Sequence, residues 1–262
     1  MQPRRAASVL LLADAVPQFK VLMVKRHSKA RFMANAYVFP GGCVDDADTV
    51  ATQKFNSRTL PLADLRRAAL RELNEETGCF LQQNNVQLGP FDGSKEDDAK
   101  LQQLVPYAHW ITPKQEKYRY DTWFFALEAK NSSAALSLAV RGDPSEIADV
   151  KWISPSDALS LHNNESSDVF KLPPPTYLIL SHLNTFQSLS HFLESQKRVT
   201  LTDIRTVEPT LEFDLEKMAL KRMVIDSGVT HLADGCYELP VAGHNVLVSV
   251  GVSGTGRPMS RL

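Results

Sequence analysis

Glu72, Glu75 and Glu76 fall within one stretch, Arg71-Glu72-Leu73-Asn74-Glu75-Glu76-Thr77-Gly78. On a helix, side chains three and four positions apart share a face, so this spacing gathers three carboxylates on one patch. Like charges at that distance repel. A hard divalent cation with oxygen ligands removes the penalty, and Mg²⁺ characteristically keeps waters and bridges to substrate phosphates. Arg71 beside them can orient a carboxylate through a bidentate contact. The chemistry on offer is therefore metal binding next to a phosphate-bearing group. A competing reading makes the cluster a solvated face whose charge is offset by Arg66, Arg67 and Arg71 with no metal. Charge alone does not separate the two.

The elements that must position these residues are legible around them. Leu62, Leu65, Ala69, Leu70 and Leu73 recur at spacings of three and four, which predicts a helix over 62–77. Asp64 stands near its start as a cap and Gly78 just past its end as a C′ glycine. Upstream, Val9 to Leu12 and Lys20 to Val24 predict two strands, and Tyr37-Val38-Phe39 a third that stops at Pro40-Gly41-Gly42. Residues 43–64 lack periodicity and are expected to be mostly loop. Further strands are expected at Ala108–Ile111, Asp121–Glu128 and Val150–Ile153. Ser154 is expected to cap a short helix. After Pro173-Pro174-Pro175, the pattern predicts one helix from Thr176 to Glu194. A final hairpin, Cys236–Leu239 with Asn245–Val250, is expected to turn at Ala242-Gly243.

The 262 residues suffice for one generous domain or a core domain with an appendage. Apolar residues make up 43% and charged residues 23%, as in ordinary globular chains. A net charge of −1 supplies no global field for nucleic acid or an anionic membrane, so an anionic ligand must be drawn by a local patch. Lys25-Arg26-His27-Ser28-Lys29-Ala30-Arg31 is such a patch, and arginine forks suit phosphate. Its bland alternative is a solvated turn. Cys43, Cys79 and Cys236 are too few and too scattered for a disulfide framework or a zinc site and are expected to be reduced thiols. No run reaches the length of a membrane span, and residues 1–12 read as the lead-in to a strand rather than a signal peptide. Seven histidines show no metal-ligand spacing, no Ser-His-Asp constellation is visible, and neither Gly41-Gly42 nor Gly254-Thr255-Gly256 forms a phosphate-binding P-loop.

The stretch from Gly42 to Phe80 resembles the signature of the Nudix hydrolases, a Gly and a Glu followed by Arg-Glu-apolar-x-Glu-Glu-x-Gly-apolar. Residues 71–79 match its second half at every position. The first half departs. Gly42 and Arg71 are 29 positions apart, 15 more than the family spacing, and Ala63 stands where the first glutamate is expected. Asp48, reached by counting forward from Gly42, and Asp64 are the possible stand-ins. Upstream, Leu22, Arg26-His27, Arg31, Asn35 and Phe39-Pro40-Gly41-Gly42 keep the spacing of the coenzyme A diphosphatase pattern in this superfamily, with His for Ser and Asn for Gly. Asn tolerates a left-handed backbone better than most residues. The insertion, the Tyr120–Phe125 strand, the Leu172-Pro-Pro-Pro175 segment and the Ser260-Arg261-Leu262 end together resemble the peroxisomal acyl-coenzyme A diphosphatase branch.

The resemblance implies an α/β fold, a Nudix-type α/β/α sandwich with a mixed sheet, over 1–165. Its insertion lies at about 43–64, and a C-terminal, largely helical extension ending in a hairpin follows over 166–262. It implies catalytic roles for Arg71, Glu72, Glu75 and Glu76, and Mg²⁺ or Mn²⁺ held by the three glutamates. Glu146 is the candidate additional ligand or base, with Glu116 as its rival. Lys25, Arg26, Arg31, Gly41 and Gly42 are implied in substrate binding. Trp110, Tyr118 and Tyr120 could stack on adenine but are as readily core. The implied reaction cuts coenzyme A or its acyl esters into 3′,5′-adenosine bisphosphate and a 4′-phosphopantetheine derivative. NADH or ADP-ribose as substrate, or a non-catalytic nucleotide- or RNA-binding module, are the alternatives. Ser260-Arg261-Leu262 resembles the Ser-Lys-Leu address read by the peroxisomal import receptor. It implies that partner and a peroxisomal location, with cytoplasm or mitochondrion as alternatives.

Overall fold

The first strand, β1 (Arg4–Ala13), is apolar on both faces because both are covered. Ala7, Val9, Leu11 and Ala13 point into one core, while Leu10 and Leu12 point into another. The computed structural model describes residues 2–49, 62–82, 85–89, 98–138, 140, 142, 144–164, 170–214, 219–224, 230–233, 236–241 and 244–249. In chain order β1 is followed by β2 (Lys20–Arg26), β3 (Tyr37–Val38), β4 (Gly41–Cys43) and helix α1 (Leu62–Thr77). Then come the hairpin β5 (Cys79–Gln82) and β6 (Asn85–Leu88), the short α2 (Asp98–Leu101), β7 (Val105–Ile111) and β8 (Tyr120–Glu128). The remainder is α3 (Ser132–Ser137), β9 (Ile147–Ile153), α4 (Pro155–Asn163), α5 (Pro174–Leu183), α6 (Leu189–Gln196) and β10 (Thr206–Val207).

A mixed eight-stranded sheet runs β10-β7-β8-β1-β2-β3, with β4 paired to β1 and β9 to β2. One feature of its register matters for function. β1 runs beside β2 only at Leu12↔Val21 and Ala13↔Lys20, whereas its other half, Ala6–Ser8, pairs with β4. The sheet therefore splits between β1 and β2. One core, with Leu65, Ala68, Ala69, Leu70 and Leu73 of α1, covers one face. The other core buries Ala158 of α4, Leu178 to Leu183 of α5 and Phe192 of α6 against Tyr107 and Trp110. Tyr107 is hydrogen-bonded to His182 and so ties β7 to α5 inside that core. The α/β/α layering expected from the resemblance is present.

The predicted helix 62–77 has the predicted ends. Gly78 takes φ +70, the left-handed conformation a C′ residue needs. Ser154 caps α4, accepting from the Asp157 amide. The single helix expected over 176–194 is two helices. Phe186 turns into the core and Ser188 caps a new start by accepting from His191 N, so the periodic apolar pattern continues across a break in the backbone. The expectation of a largely helical extension fits 174–196; beyond it the described elements are a 3₁₀ turn, Leu201–Asp203, and strands. There β11 (Thr210–Asp214) pairs with β12 (Ala219–Val224), and β13 (Thr230–Ala233), β14 (Cys236–Val241) and β15 (His244–Ser249) form a meander. The final hairpin is β14–β15, and its turn at Ala242-Gly243 lies outside the described residues, as do 50–61 of the insertion. Within 43–49 a single 3₁₀ turn, Asp46–Asp48, interrupts the expected loop. No described helix is long and apolar enough to cross a membrane.

Candidate functional site

A cavity of about 580 Å³ opens where β1 and β2 part, and it is bordered by residues from both helical layers. Glu72 and Glu76 of α1, Arg26 of β2 and Glu146 just before β9 line it on one side. Trp110, Phe124 and the start of α5 line it on the other.

Glu76 is only 3% exposed, and its Oε2 accepts a 2.9 Å bond from the Gly41 amide. Burial pushes its carboxyl up to about 8. The Gly41 amide and Arg26 oppose that rise, while the negative charges of Glu72 and Glu146 add to it. Glu72 is pushed up to about 7, again chiefly by burial, with Arg71 opposing and Glu75 and Glu146 adding. The buried Glu76 and the part-buried Glu72, both resisting ionisation, form an oxygen donor set suited to a hard divalent cation. Among the described residues no group of three His, Cys, Asp or Glu side chains makes a ready-formed cation cage. The donors are thus Glu72 and Glu76, with Glu146 bordering the same cavity.

Glu75 goes elsewhere. It is 55% exposed and its Oε2 accepts from Arg71 Nη1 at 2.8 Å. Arg71 is the hub of the cluster. Its Nε and Nη2 donate to the two oxygens of Asp48 at 3.0 and 2.9 Å, its Nη2 also to the Cys43 carbonyl, and its Nη1 to Glu72 at 3.0 Å. Asp48 is 4% exposed and also accepts from the Asp45 amide. Asp64, the other candidate for the missing acid, pairs with Arg67 at 2.8 Å instead. Counting forward from Gly42 thus finds the residue that meets Arg71.

The two glycines serve packing as much as ligand access. A Cβ on Gly42 would lie 2.4 Å from Glu72 Cδ and Oε1, and one on Gly41 would lie 2.4 Å from the Ala7 carbonyl oxygen. Gly42→Ala is therefore expected to leave the sheet folded and displace Glu72. Displacements on this scale cost about 10²-fold in turnover, which steady-state assays beside unchanged circular dichroism would show. Full activity in Gly42→Ala would mean that the position of Glu72 is immaterial.

Strand alternation separates the predicted basic residues. Arg26 and Arg31 line the cavity. Lys25, pointing to the opposite face, lies with its amine 5.6 Å from the Tyr37 ring. Arg26 Nε also donates to the Phe32 carbonyl, fastening the 31–35 loop. Asn35 takes φ +61, the left-handed conformation that makes Asn acceptable there, and so does Met33 at φ +53. Met33 lines the cavity, and a non-glycine residue in that region is strained. Glu116 and Glu146 both border the cavity; Glu146 also accepts from the His27 amide through its carbonyl, and burial raises the Glu116 carboxyl. Trp110 and Tyr120 line it too, while Tyr118 is exposed with Lys117 over its ring.

Several features had no sequence signal. Asp121, His109 and Thr206 join through the two His109 nitrogens at 2.5 and 2.8 Å, with the ring stacked on Trp123, but none of them lines the cavity. Thr176 is 3% exposed and borders the cavity. Cys43 and Cys79 are free thiols, as expected.

Comparison with known proteins gives a consistent picture. The model of the NUDIX domain matches residues 2–172. The chain is 29% identical over 198 residues to "Putative nudix hydrolase 7" of Caenorhabditis elegans, covering 69% of this chain and 60% of that protein. It is 25% identical over 243 residues to "Acyl-coenzyme A diphosphatase NUDT19" of Xenopus laevis, covering 66% and 61%. The chain thus spans about three-fifths of the length of these curated relatives. Among solved structures, a NUDIX hydrolase from Alicyclobacillus acidocaldarius superposes with a TM-score of 0.60 at 22% identity, over 74% of this chain and 96% of that one. At that identity the likeness concerns the fold.

Proposed function

The chain belongs to the NUDIX domain family, and from that premise we propose that it is a divalent-metal-dependent hydrolase that cuts the diphosphate of coenzyme A or acyl-coenzyme A. The products are 3′,5′-adenosine bisphosphate and (acyl-)4′-phosphopantetheine. The observation that carries this reading is the buried Glu76 beside the part-buried Glu72 on a cavity that also holds Arg26 and Arg31. The relative named an acyl-coenzyme A diphosphatase and the upstream spacing from Leu22 to Gly42 support the choice of substrate.

In this proposal Glu72 and Glu76 hold Mg²⁺ or Mn²⁺. Glu75 joins them by giving up an exposed ion pair, a contact of small net worth. Bound there, the ion supplies Lewis acidity on the diphosphate oxygens and lowers the pKa of water. The chain does the rest. The Gly41 amide fixes Glu76, Asp48 holds the Arg71 fork that steadies Glu72, and Arg26 and Arg31 neutralise phosphate oxygens. Glu146, on the same side of the cavity, acts as the additional ligand or proton acceptor, with Glu116 as the rival for the latter role. Residues 1–165 form the hydrolase domain and 166–262 its extension. Ser260-Arg261-Leu262, outside the described residues, acts as a peroxisomal address. A fluorescent fusion lacking that tripeptide would then spread through the cytosol.

Coenzyme A, acetyl-coenzyme A, NADH and ADP-ribose assayed side by side test the substrate. The coenzyme A thioester or free thiol is expected to have the highest kcat/KM. Equal or faster NADH turnover would overturn the assignment, and absence of turnover with every compound would favour a non-catalytic binding module.

Metal binding also predicts a pH signature. The folded pKa values of Glu72 and Glu76, about 7 and about 8, lie above the value of 4.5 for an unperturbed glutamate. The metal-free fold therefore takes up protons relative to the unfolded chain, and these groups lower its stability as pH rises from about 5 through 8. A cation replaces those protons. Thermal unfolding with millimolar Mg²⁺ is expected to show a larger rise in Tm at pH 8.5 than at pH 6. Equal shifts at the two pH values would contradict the pairing.

A further inference from the structure

We infer that the cavity wall formed by Pro173, Pro174, Pro175 and Thr176, which starts one residue beyond the family-matched segment, receives the pantetheine arm of the substrate, with the Thr176 hydroxyl bonded to one of its amides. The inference rests on the coenzyme A reading above and assigns a specificity-determining residue within it.

The first four N–H groups of a helix have no partner within it, so a helix that starts at a cavity normally presents donors to whatever fills it. Here Pro173 at the cap and Pro174 and Pro175 at the first two helical positions have none, which leaves the Thr176 N–H, because Tyr177 N already bonds the Pro173 carbonyl. The wall is therefore dry apart from Thr176. Trp110, Pro113, Met33 and Pro209 continue the apolar lining beside it. Adenine needs several partners along its ring edge, and a phosphate needs cations; this wall offers neither in number. An aliphatic arm with widely spaced amides asks for little beyond apolar contact and one or two hydrogen bonds.

Thr176 supplies the polar element. It is 3% exposed and borders the cavity. Thr176 carries the one side-chain hydroxyl on this proline wall, and a hydroxyl can both donate to and accept from a ligand amide. The position also fits the direction of the cavity. Glu72 and Glu76 belong to the α1 layer and Thr176 to the α5 layer across the split sheet, so a diphosphate at the glutamates leaves one arm to reach the proline wall. The cationic Arg31 and Arg4 remain on the cavity lining for the nucleotide half.

The two half-products separate the arms. Inhibition of coenzyme A turnover by 4′-phosphopantetheine and by 3′,5′-adenosine bisphosphate is measured for the wild type, Thr176→Val and Thr176→Ser. Loss of one neutral hydrogen bond corresponds to about a 2- to 12-fold weaker Ki. That loss is expected in Thr176→Val for 4′-phosphopantetheine only, and Thr176→Ser is expected to restore most of it. Unchanged inhibition by 4′-phosphopantetheine, or weakening confined to the adenosine bisphosphate, would overturn the assignment. Should Thr176→Val not fold, Pro209→Asp places a charge on the same lining and is read by the same two constants. A wild type that does not cleave coenzyme A removes the proposed function itself; a wild type that does, with Thr176→Val indistinguishable from it, removes this inference alone.

Discussion

Glu76→Gln is expected to give a folded protein whose turnover falls by about 10³-fold, the scale on which removal of one preorganised charge-stabilising group acts. The amide is nearly isosteric and can still accept the Gly41 N–H through its oxygen, so the β4–α1 contact survives. What disappears is a negative charge held in a place that is 97% buried. The same change removes part of the charge penalty at high pH. Metal-free Glu76→Gln is therefore expected to melt a few degrees above the wild type at pH 8.5, each kcal/mol being worth about 2–4 °C in a chain of this size. It should also gain less from Mg²⁺. Lower activity combined with higher metal-free stability marks a functional carboxylate; equal loss of both would mark a structural one.

The second large effect lies at Arg71. Its side chain binds Asp48, Glu72, Glu75 and the Cys43 carbonyl at once. Arg71→Met strands the Asp48 carboxylate, which is 4% exposed. Breaking a buried pair by removing one partner costs about 3–5 kcal/mol, which corresponds to a fall in Tm of roughly 10 °C or more at that chain size. Activity falls too, because Glu72 loses its anchor. The double variant Arg71→Met, Asp48→Leu removes the orphaned charge and is expected to regain much of the stability without regaining turnover. A double-mutant cycle of unfolding free energies checks this, since residues in one ion-pair network couple strongly. Additive effects at the two sites would show that the bidentate contact contributes little.

Where the sequence was informative, the reason was local. The helix 62–77 announces itself because a 3.6-residue period and a terminal glycine are both written within the segment. The strand run 9–12 is readable because both faces of β1 are covered, which demands unbroken apolar residues. Helical spacing also placed three glutamates on one patch, but it could not say which would turn inward. That choice depends on contacts remote in sequence: the Gly41 amide captures Glu76, and Arg71, itself clamped by Asp48, captures Glu75. Asp48 was reachable by counting from Gly42, yet only the fold distinguishes it from Asp64, whose partner is Arg67.

Other features are invisible to periodicity. The separation of Lys25 from Arg26 follows from strand alternation once β2 is known to end at Arg26. The break at 184–188 is hidden because the apolar pattern runs through it, with Phe186 still pointing to the core. The cavity exists because β1 changes partner from β4 to β2 partway along its length, a property of pairing that no single segment encodes. Thr176 looks like the first residue of a helix after three prolines, and only the layer packing brings it to the cavity.

The central claim is that Glu72 and Glu76 capture a divalent ion beside the cavity. Mn²⁺ binding followed by electron paramagnetic resonance at pH 8 tests it most directly, with the wild type compared against Glu72→Gln, Glu76→Gln. The wild type is expected to take up Mn²⁺ in competition with Mg²⁺, and the double variant to leave it free in solution while keeping its circular dichroism. Undiminished Mn²⁺ uptake by the folded double variant would contradict the account.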